Sequence, residues 1–114
     1  MSRYAFIAVY LTANRRNGTL YLGVTSSLYE RIWQHKRGHF EGFSKRHGCT
    51  RLVWFRRFET MVPAIECETR MKGWKRAWKL NVIEAENPEW RDLSDDWFEE
   101  PEGPLSVLNF EREP

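Results

Sequence analysis

The first part of the chain has the succession of apolar and polar residues that predicts a β-hairpin. Residues 4–11 are rich in aromatic and β-branched side chains, which is typical of a buried strand. The polar residues that follow end in Asn17-Gly18, a pair that strongly favours a hairpin turn. Residues 19–24 are therefore expected to return antiparallel to the first strand, so that Tyr10 and Tyr21 lie on neighbouring strands.

An amphipathic helix is predicted next. Ser27 to Glu30 matches a capping box, in which the Ser27 side chain caps the helix and the Glu30 side chain reaches back to the Ser27 N–H. The helix should run to about Lys36. Its stripe at positions i, i+3, i+4 and i+7 consists of Leu28, Arg31, Ile32 and His35. Two polar residues, Arg31 and His35, therefore share the face that should meet the sheet.

The rest of the chain predicts one more strand, two helices and an acidic tail. In order, these are a basic loop at 38–50, a strand at 51–58, a helix that begins near Pro63, a helix at about 74–84, and a loosely packed tail at 89–114 with a short turn around Trp97. Gly73 separates the two helices, and Asn87-Pro88 ends the second. Glu68 lies on the first of them.

Composition limits the class of protein. The 114 residues, 41% of them apolar and 15% aromatic, fit one folded domain. The two cysteines, Cys49 and Cys67, are too few for a disulfide framework. No stretch approaches the roughly 20 apolar residues that span a bilayer, and the first residues lack the layout of a signal peptide. The expected location is the cytoplasm, with no membrane as a partner.

Charge is distributed unevenly along the chain. Residues 1–80 hold 16 Lys and Arg against 5 Asp and Glu, a net charge of +11. Residues 81–114 hold 2 against 11, a net charge of −9. A basic body favours a polyanionic partner such as nucleic acid. A solvated basic surface without any partner would have the same composition.

A set of polar residues in the body could together cut a phosphodiester bond: Tyr10, Tyr21, Arg31, His35 and Glu68. The reaction needs a deprotonated water, neutralisation of charge on the phosphate, and help for the leaving oxygen. Glu68 could hold a divalent cation whose shell is completed by water and phosphate. Arg31 could grip a phosphate oxygen, and His35 could hydrogen-bond to a tyrosine or relay a proton. Each residue alone also has an ordinary structural interpretation, and only the ordered set indicates a nuclease.

The order and spacing of these residues resemble the signature of the GIY-YIG nucleases. The first motif is present as Ala8-Val9-Tyr10 and the second as Tyr21-Leu22-Gly23, and Arg31, His35 and Glu68 follow. Further segments resemble the small single-domain subgroup of that family: Asn17 to Thr25, Leu52-Val53-Trp54, Ala64-Ile65, Lys72-Gly73-Trp74 and Asn87 to Leu93. One departure lies beside the carboxylate, where Cys67-Glu68-Thr69 replaces the Arg-Glu-Lys that is frequent in the subgroup.

The resemblance implies an α/β (α+β) fold, with a three-stranded antiparallel sheet flanked by helices, in a nuclease domain at 1–95 followed by an acidic tail at 96–114. It implies that Tyr21 activates the water with support from Tyr10, that Arg31 binds the scissile phosphate, and that His35 assists proton transfer. Glu68 would anchor one Mg²⁺ or Mn²⁺. DNA is the implied partner, in DNA repair or recombination. The residues expected to contact nucleic acid are Arg31, Lys45, Arg46 and Lys72, with Asn87 supporting the site.

Other interpretations of the chain remain open at this point. The same fold could serve as a nucleic-acid-binding module that does not cut. A small metal-binding protein would use Cys49, Cys67, His35, His39 and His47, although these lack a recognisable zinc spacing. An interaction protein would use the acidic tail for docking. For a nuclease, specificity would come from the basic loop, the tail, a second subunit or a partner protein.

Overall fold

The computed structural model describes residues 6–38 and 43–98. Within them the chain forms β1 (Ile7–Ala13), β2 (Leu20–Thr25), α1 (Leu28–Lys36), α2 (Phe43–His47), β3 (Arg51–Phe58), α3 (Met61–Lys72) and α4 (Arg76–Glu86). The strands form one antiparallel sheet in the order β2-β1-β3. The predicted three-stranded antiparallel sheet with flanking helices is confirmed, with some boundaries shifted by two or three residues.

Helices cover both faces of the sheet. Successive residues of the central strand β1 point to opposite faces. Val9 and Leu11 therefore pack with buried residues of α3 and α4 on one face. Tyr10 packs on the other face with Leu28 and Ile32 of α1. Tyr10 thus lies in an apolar layer between the sheet and α1.

The predicted hairpin turn is confirmed, and its geometry requires the Asn17-Gly18 pair. Asn17 adopts a positive φ of 57°, a conformation that asparagine tolerates better than most residues. A Cβ on Gly18 would lie 2.0 Å from Oδ1 of Asn14. That Oδ1 accepts a hydrogen bond of 2.9 Å from the Thr19 N–H and so ties the two ends of the turn.

The start of α1 is held differently from the prediction. Ser27 is the N-cap residue, but its side chain makes no capping hydrogen bond. The Ser27 N–H, which Glu30 was expected to reach, donates to Oγ1 of Thr25 at 3.0 Å. The Leu28 N–H donates to the carbonyl oxygen of Phe6 at 3.0 Å. The strand ends therefore satisfy these donors, and they fix α1 against the sheet.

The predicted basic loop at 38–50 contains a short helix, α2, so this prediction is wrong in part. Lys45, Arg46 and His47 occupy its last turn, where positive charge is favourable beside the helix carbonyls. Gly48 follows with a positive φ of 66°, the conformation that ends many helices. Local terminus signals thus outweighed the polar composition on which the loop prediction rested.

The prediction of a loose tail from residue 89 is also wrong for the residues up to 98. Trp90 is 1% exposed, and Leu93 and Trp97 pack against the cluster beside α1. Oδ1 of Asp92 accepts the Leu52 N–H at 3.2 Å. Apolar side chains and these polar contacts hold the acidic segment on the body. Residues 99–114 lie outside the described residues, and the division of the chain at residue 95 stays a prediction.

Asp92 also forms an ion pair with Lys36, which joins this segment to α1. Burial alone would raise the pKa of the Asp92 carboxyl, but hydrogen bonds from Lys36 and Ser94 outweigh it and hold the pKa below its usual range.

No helix among the described residues is long and apolar enough to cross a membrane.

Candidate active site

Two tyrosines and a histidine form a cluster between the sheet and α1. The hydroxyl of Tyr10 lies 2.9 Å from Nε2 of His35. The ring centroid of Tyr21 lies 6.3 Å from that of Tyr10 and 5.1 Å from that of His35. Tyr10 and His35 are buried, whereas Tyr21 is half-buried. Tyr21 is therefore the member of this tyrosine–histidine cluster that is best placed to meet a substrate.

The register of the hairpin brings the two tyrosines together. Tyr10 lies opposite Gly23, and Tyr21 lies opposite Thr12. Residues two apart on a strand share a face, so Tyr10 and Tyr21 are diagonal neighbours on the face covered by α1. His35 reaches them from the last turn of α1.

Gly23 makes room for the Tyr10 side chain. A Cβ on Gly23 would lie 2.5 Å from the hydroxyl oxygen of Tyr10 and 2.6 Å from its Cζ. The ring of Tyr10 therefore crosses directly over the Gly23 backbone. Sequence reasoning treated Gly23 only as part of a motif, although a glycine inside a strand is itself a signal of close approach.

We expect Gly23→Ala to destabilise the protein by about 1–3 kcal/mol, because the new methyl group must displace the buried Tyr10 ring. The Tyr10–His35 hydrogen bond should be lost with it. Urea denaturation measures the first effect, and the NMR shifts of the His35 ring report the second. Gly73→Ala is a matched control, because its Cβ would meet only the Arg70 carbonyl oxygen, at 3.5 Å. Equal stability of the two variants would contradict the prediction.

The environment of the cluster keeps Tyr10 and His35 uncharged near neutral pH. Burial, and next the neighbouring Tyr21, raise the pKa of Tyr10 far above its ordinary value, although Arg31 acts against them. Burial, and next the charge of Arg31, lower the pKa of His35 to about 4. The Tyr10 hydroxyl can therefore donate to an unprotonated Nε2 of neutral His35.

Because of this shift, we expect stability to fall as the pH is lowered from about 6.5 towards 4. The unfolded histidine has a pKa of about 6.5, so the unfolded state binds more protons than the folded state in this window, and stability rises with pH. The difference between pKa values of 6.5 and about 4 corresponds to about 3 kcal/mol of the free energy of unfolding. This amount is lost in full only when the pH falls below about 4.

The measurement is a series of urea denaturation curves across this pH range for the wild type and His35→Gln. Acidic residues titrate in both proteins, so the difference between the two profiles isolates His35. Parallel profiles would show that His35 titrates as an ordinary histidine.

Charged groups border the tyrosine–histidine cluster. Arg31 of α1 lies near enough to affect the pKa of both Tyr10 and His35. Glu68 of α3 is mostly buried, and its charge also acts on Tyr10. Oε2 of Glu68 lies 2.9 Å from Nζ of Lys72, and this contact raises the pKa of Lys72. The five predicted catalytic residues and Lys72 therefore converge on one part of the molecule.

The remaining predicted residues are Lys45, Arg46 and Asn87. Lys45 and Arg46 are exposed on α2. Nδ2 of Asn87 donates to the carbonyl oxygens of Val53 at 3.1 Å and Arg91 at 2.9 Å. Its Oδ1 accepts the Arg91 N–H at 3.0 Å. The Asn87 amide thus ties the end of α4 to β3, and its predicted support of the catalytic site stays a prediction.

The donor set fits a hard divalent cation better than zinc. Within residues 6–38 and 43–98, no group of three or more His, Cys, Asp or Glu could share a metal ion. His39 of the alternative metal-binding set lies outside these residues. One carboxylate suffices for Mg²⁺ when waters and a substrate phosphate complete the shell. Glu68 would be such a carboxylate, and a cation bound there would have to compete with the ammonium group of Lys72.

Comparison with known proteins identifies the family. The family model of the GIY-YIG catalytic domain matches residues 6–81. The chain belongs to the GIY-YIG family. The matched segment of this GIY-YIG protein contains the whole tyrosine–histidine cluster together with Arg31, Glu68 and Lys72, whereas Asn87 follows it.

Two individual relatives are UPF0213 proteins. A UPF0213 protein of Vibrio parahaemolyticus is 34% identical over 77 residues, which make up 68% of this chain and 72% of the relative. A UPF0213 protein from Bacillus halodurans, whose solution NMR structure is known, is 22% identical with a TM-score of 0.49, covering 80% of this chain and 97% of that one. The resemblance to the GIY-YIG family and its small single-domain subgroup is confirmed.

Proposed function

We propose that this GIY-YIG protein is a metal-dependent endonuclease that hydrolyses DNA phosphodiester bonds. The observation that carries the proposal is the buried hydrogen bond of Tyr10 to His35, at 2.9 Å, beside the more accessible Tyr21. Arg31 and Glu68 border the same cluster. Family membership supports a nuclease-type activity, and the basic body supports a nucleic-acid substrate.

Tyr21 is the residue that we assign to water activation. Among the described residues, its hydroxyl has no hydrogen-bond partner, so it is available to a water molecule. The hydroxyl of Tyr10 is instead buried and bonded to His35. Tyr21 would take a proton of the attacking water as its own proton passes to the hydroxyl of Tyr10, which in turn would give its proton to Nε2 of the neutral His35. The lowered pKa of His35 keeps Nε2 unprotonated near neutral pH, so that it can accept this proton.

Arg31 and Glu68 are assigned to the phosphate. The planar guanidinium of Arg31 would hold two phosphate oxygens and offset the charge that develops on them. Glu68 would hold one Mg²⁺ or Mn²⁺, which when bound supplies positive charge to the phosphate and to the leaving oxygen. The side chain of Lys72, 63% exposed, would leave Glu68 and turn to a phosphate of the substrate.

Substrate choice is assigned to the surroundings of this site. Lys45 and Arg46 place positive charge on α2, within the segment that follows α1. A homodimer or a partner protein would add further contacts to DNA. These surfaces would decide which DNA structure reaches the tyrosine–histidine cluster, while the cluster itself performs the hydrolysis.

The proposal is tested by cleavage of labelled single-stranded, duplex, nicked, flapped and branched DNA. Each substrate is incubated with the purified chain in Mg²⁺, in Mn²⁺ or with a chelator. We expect cutting of at least one substrate with a divalent ion and no cutting with the chelator. Binding without cutting under every condition would replace the endonuclease by a non-catalytic nucleic-acid-binding module.

A further inference from the structure

A basic cavity of about 460 Å³ lies at the tip of the β1–β2 hairpin. Its positive side chains are Arg15, Arg76 and Lys79, and residues 17–20 complete its lining. No Asp or Glu among the described residues takes part in that lining. The roles proposed above make no use of these cations.

The backbone of the hairpin tip holds Arg76 in the cavity wall. Nη2 of Arg76 donates to the carbonyl oxygens of Asn17 at 3.0 Å and Gly18 at 2.7 Å. The guanidinium carries five N–H donors, so those on Nε and Nη1 are left for another acceptor. The turn itself is fixed by the contact of Asn14 with the Thr19 N–H. The cavity is therefore formed before any ligand arrives.

The positive charges of the cavity are not neutralised by the described part of the chain. The ion pairs among the described residues join Lys36 to Asp92 and Lys72 to Glu68, and neither involves a residue of the cavity. None of the described carboxylates forms an ion pair with the three cations of the cavity. Charges of one sign held around a fixed concave surface attract an anion, and guanidinium and ammonium groups suit phosphate.

The cavity lies at the same edge of the sheet as the candidate active site, but on the face that packs against α3 and α4. Its lining residue Leu20 directly precedes Tyr21 on the edge strand β2. Arg76 begins α4 only four residues after Lys72, which pairs with Glu68 at the end of α3. A DNA strand that passes Tyr21 and Lys72 and continues around the edge strand β2 would therefore reach the hairpin tip.

We propose that the hairpin-tip cavity is a second phosphate-binding subsite, which holds a backbone phosphate of DNA other than the scissile one. This inference rests on the proposed nuclease function, because that function sets the path of the DNA strand over the surface. Arg15 and Lys79 would bind the phosphate. Arg76 would bind it as well, and it also holds the turn through its hydrogen bonds to the hairpin backbone. Contacts of this kind position the substrate and carry no sequence information.

The test compares two double variants that remove the same charge. Arg15→Gln with Lys79→Gln removes the free cations of the cavity. Arg56→Gln with Arg57→Gln is the control, because these exposed residues lie on β3, at the opposite edge of the sheet. Arg76 is left intact because its loss would also disturb the turn. Thermal melting confirms that both variants are folded.

Binding to a short labelled duplex is measured by fluorescence anisotropy over a range of salt concentrations, with a chelator present to prevent cutting. We expect the cavity variant to lower the slope of log Kd against log salt by about 1–2 and to weaken binding about 10-fold or more near physiological salt. The control should change both quantities much less.

Equal behaviour of the two variants would overturn the subsite, and so would a wild type that does not bind the duplex. The outcome is independent of catalysis because no cutting is needed. A chain that binds through the cavity but cuts none of the DNA panel would retain the subsite and lose the endonuclease. A chain that cuts normally while the two variants bind alike would lose the subsite alone.

Discussion

Replacing Tyr21 by Phe is expected to slow DNA cleavage by about 10²- to 10⁴-fold, the range that a positioned acid or base contributes. The substitution removes the hydroxyl that we assign to water activation and keeps the ring. Because the ring still packs beside Tyr10 and His35, the cluster should keep its shape. The hydroxyl has no hydrogen-bond partner among the described residues, so its loss should leave the free energy of unfolding almost unchanged.

The measurement is the single-turnover cleavage rate of the preferred DNA, together with the DNA affinity in a chelator. Tyr29→Phe is the matched control. Its hydroxyl donates to the carbonyl oxygen of Trp97 at 2.9 Å on the outer side of α1, and its removal should leave cleavage at the wild-type rate. A Tyr21→Phe variant that cuts as fast as Tyr29→Phe would show that the ring of Tyr21 only packs.

The pairing of Tyr10 with His35 could be foreseen only in part. The stripe of α1 correctly placed His35 on the face that meets the sheet, since the apolar positions Leu28 and Ile32 are buried beside it. The hairpin signal at Asn17-Gly18 correctly placed the tyrosines on neighbouring strands. Neither pattern indicates that Tyr10 is the buried tyrosine. That follows from the central position of β1 and from the space above Gly23.

Features that depend on distant contacts were missed. The hairpin-tip cavity joins Arg76 to Asn17, which is 59 residues away in the chain, and no local pattern links them. The capping box failed because Thr25 and Phe6 supply the partners at the start of α1. Periodicity and turn chemistry predict elements, whereas such contacts depend on how the elements pack.

The second large effect is expected for Glu68→Gln, which should slow cleavage on the order of 10³-fold, since a catalytic cation contributes several kcal/mol. The amide keeps the size of the carboxylate and loses its charge, so the effect is on cation binding. Glu66→Gln is the matched control, because Glu66 is exposed on the same helix. Calorimetric titration with Mn²⁺ in the absence of DNA gives a readout that does not depend on cutting.

A substitution of Lys72 distinguishes cation binding at Glu68 from binding of the DNA substrate. Its ammonium lies 2.9 Å from Glu68, so it competes with any cation for the same oxygen. Lys72→Ala should therefore bind Mn²⁺ up to about five-fold more tightly, since an ion pair whose ammonium group is largely exposed contributes at most about 1 kcal/mol. It should also bind DNA more weakly, because it lacks the side chain that we propose turns to the phosphate. Mn²⁺ binding that Glu68→Gln leaves unchanged would place the cation elsewhere, and the competition with Lys72 would then have no role in the reaction.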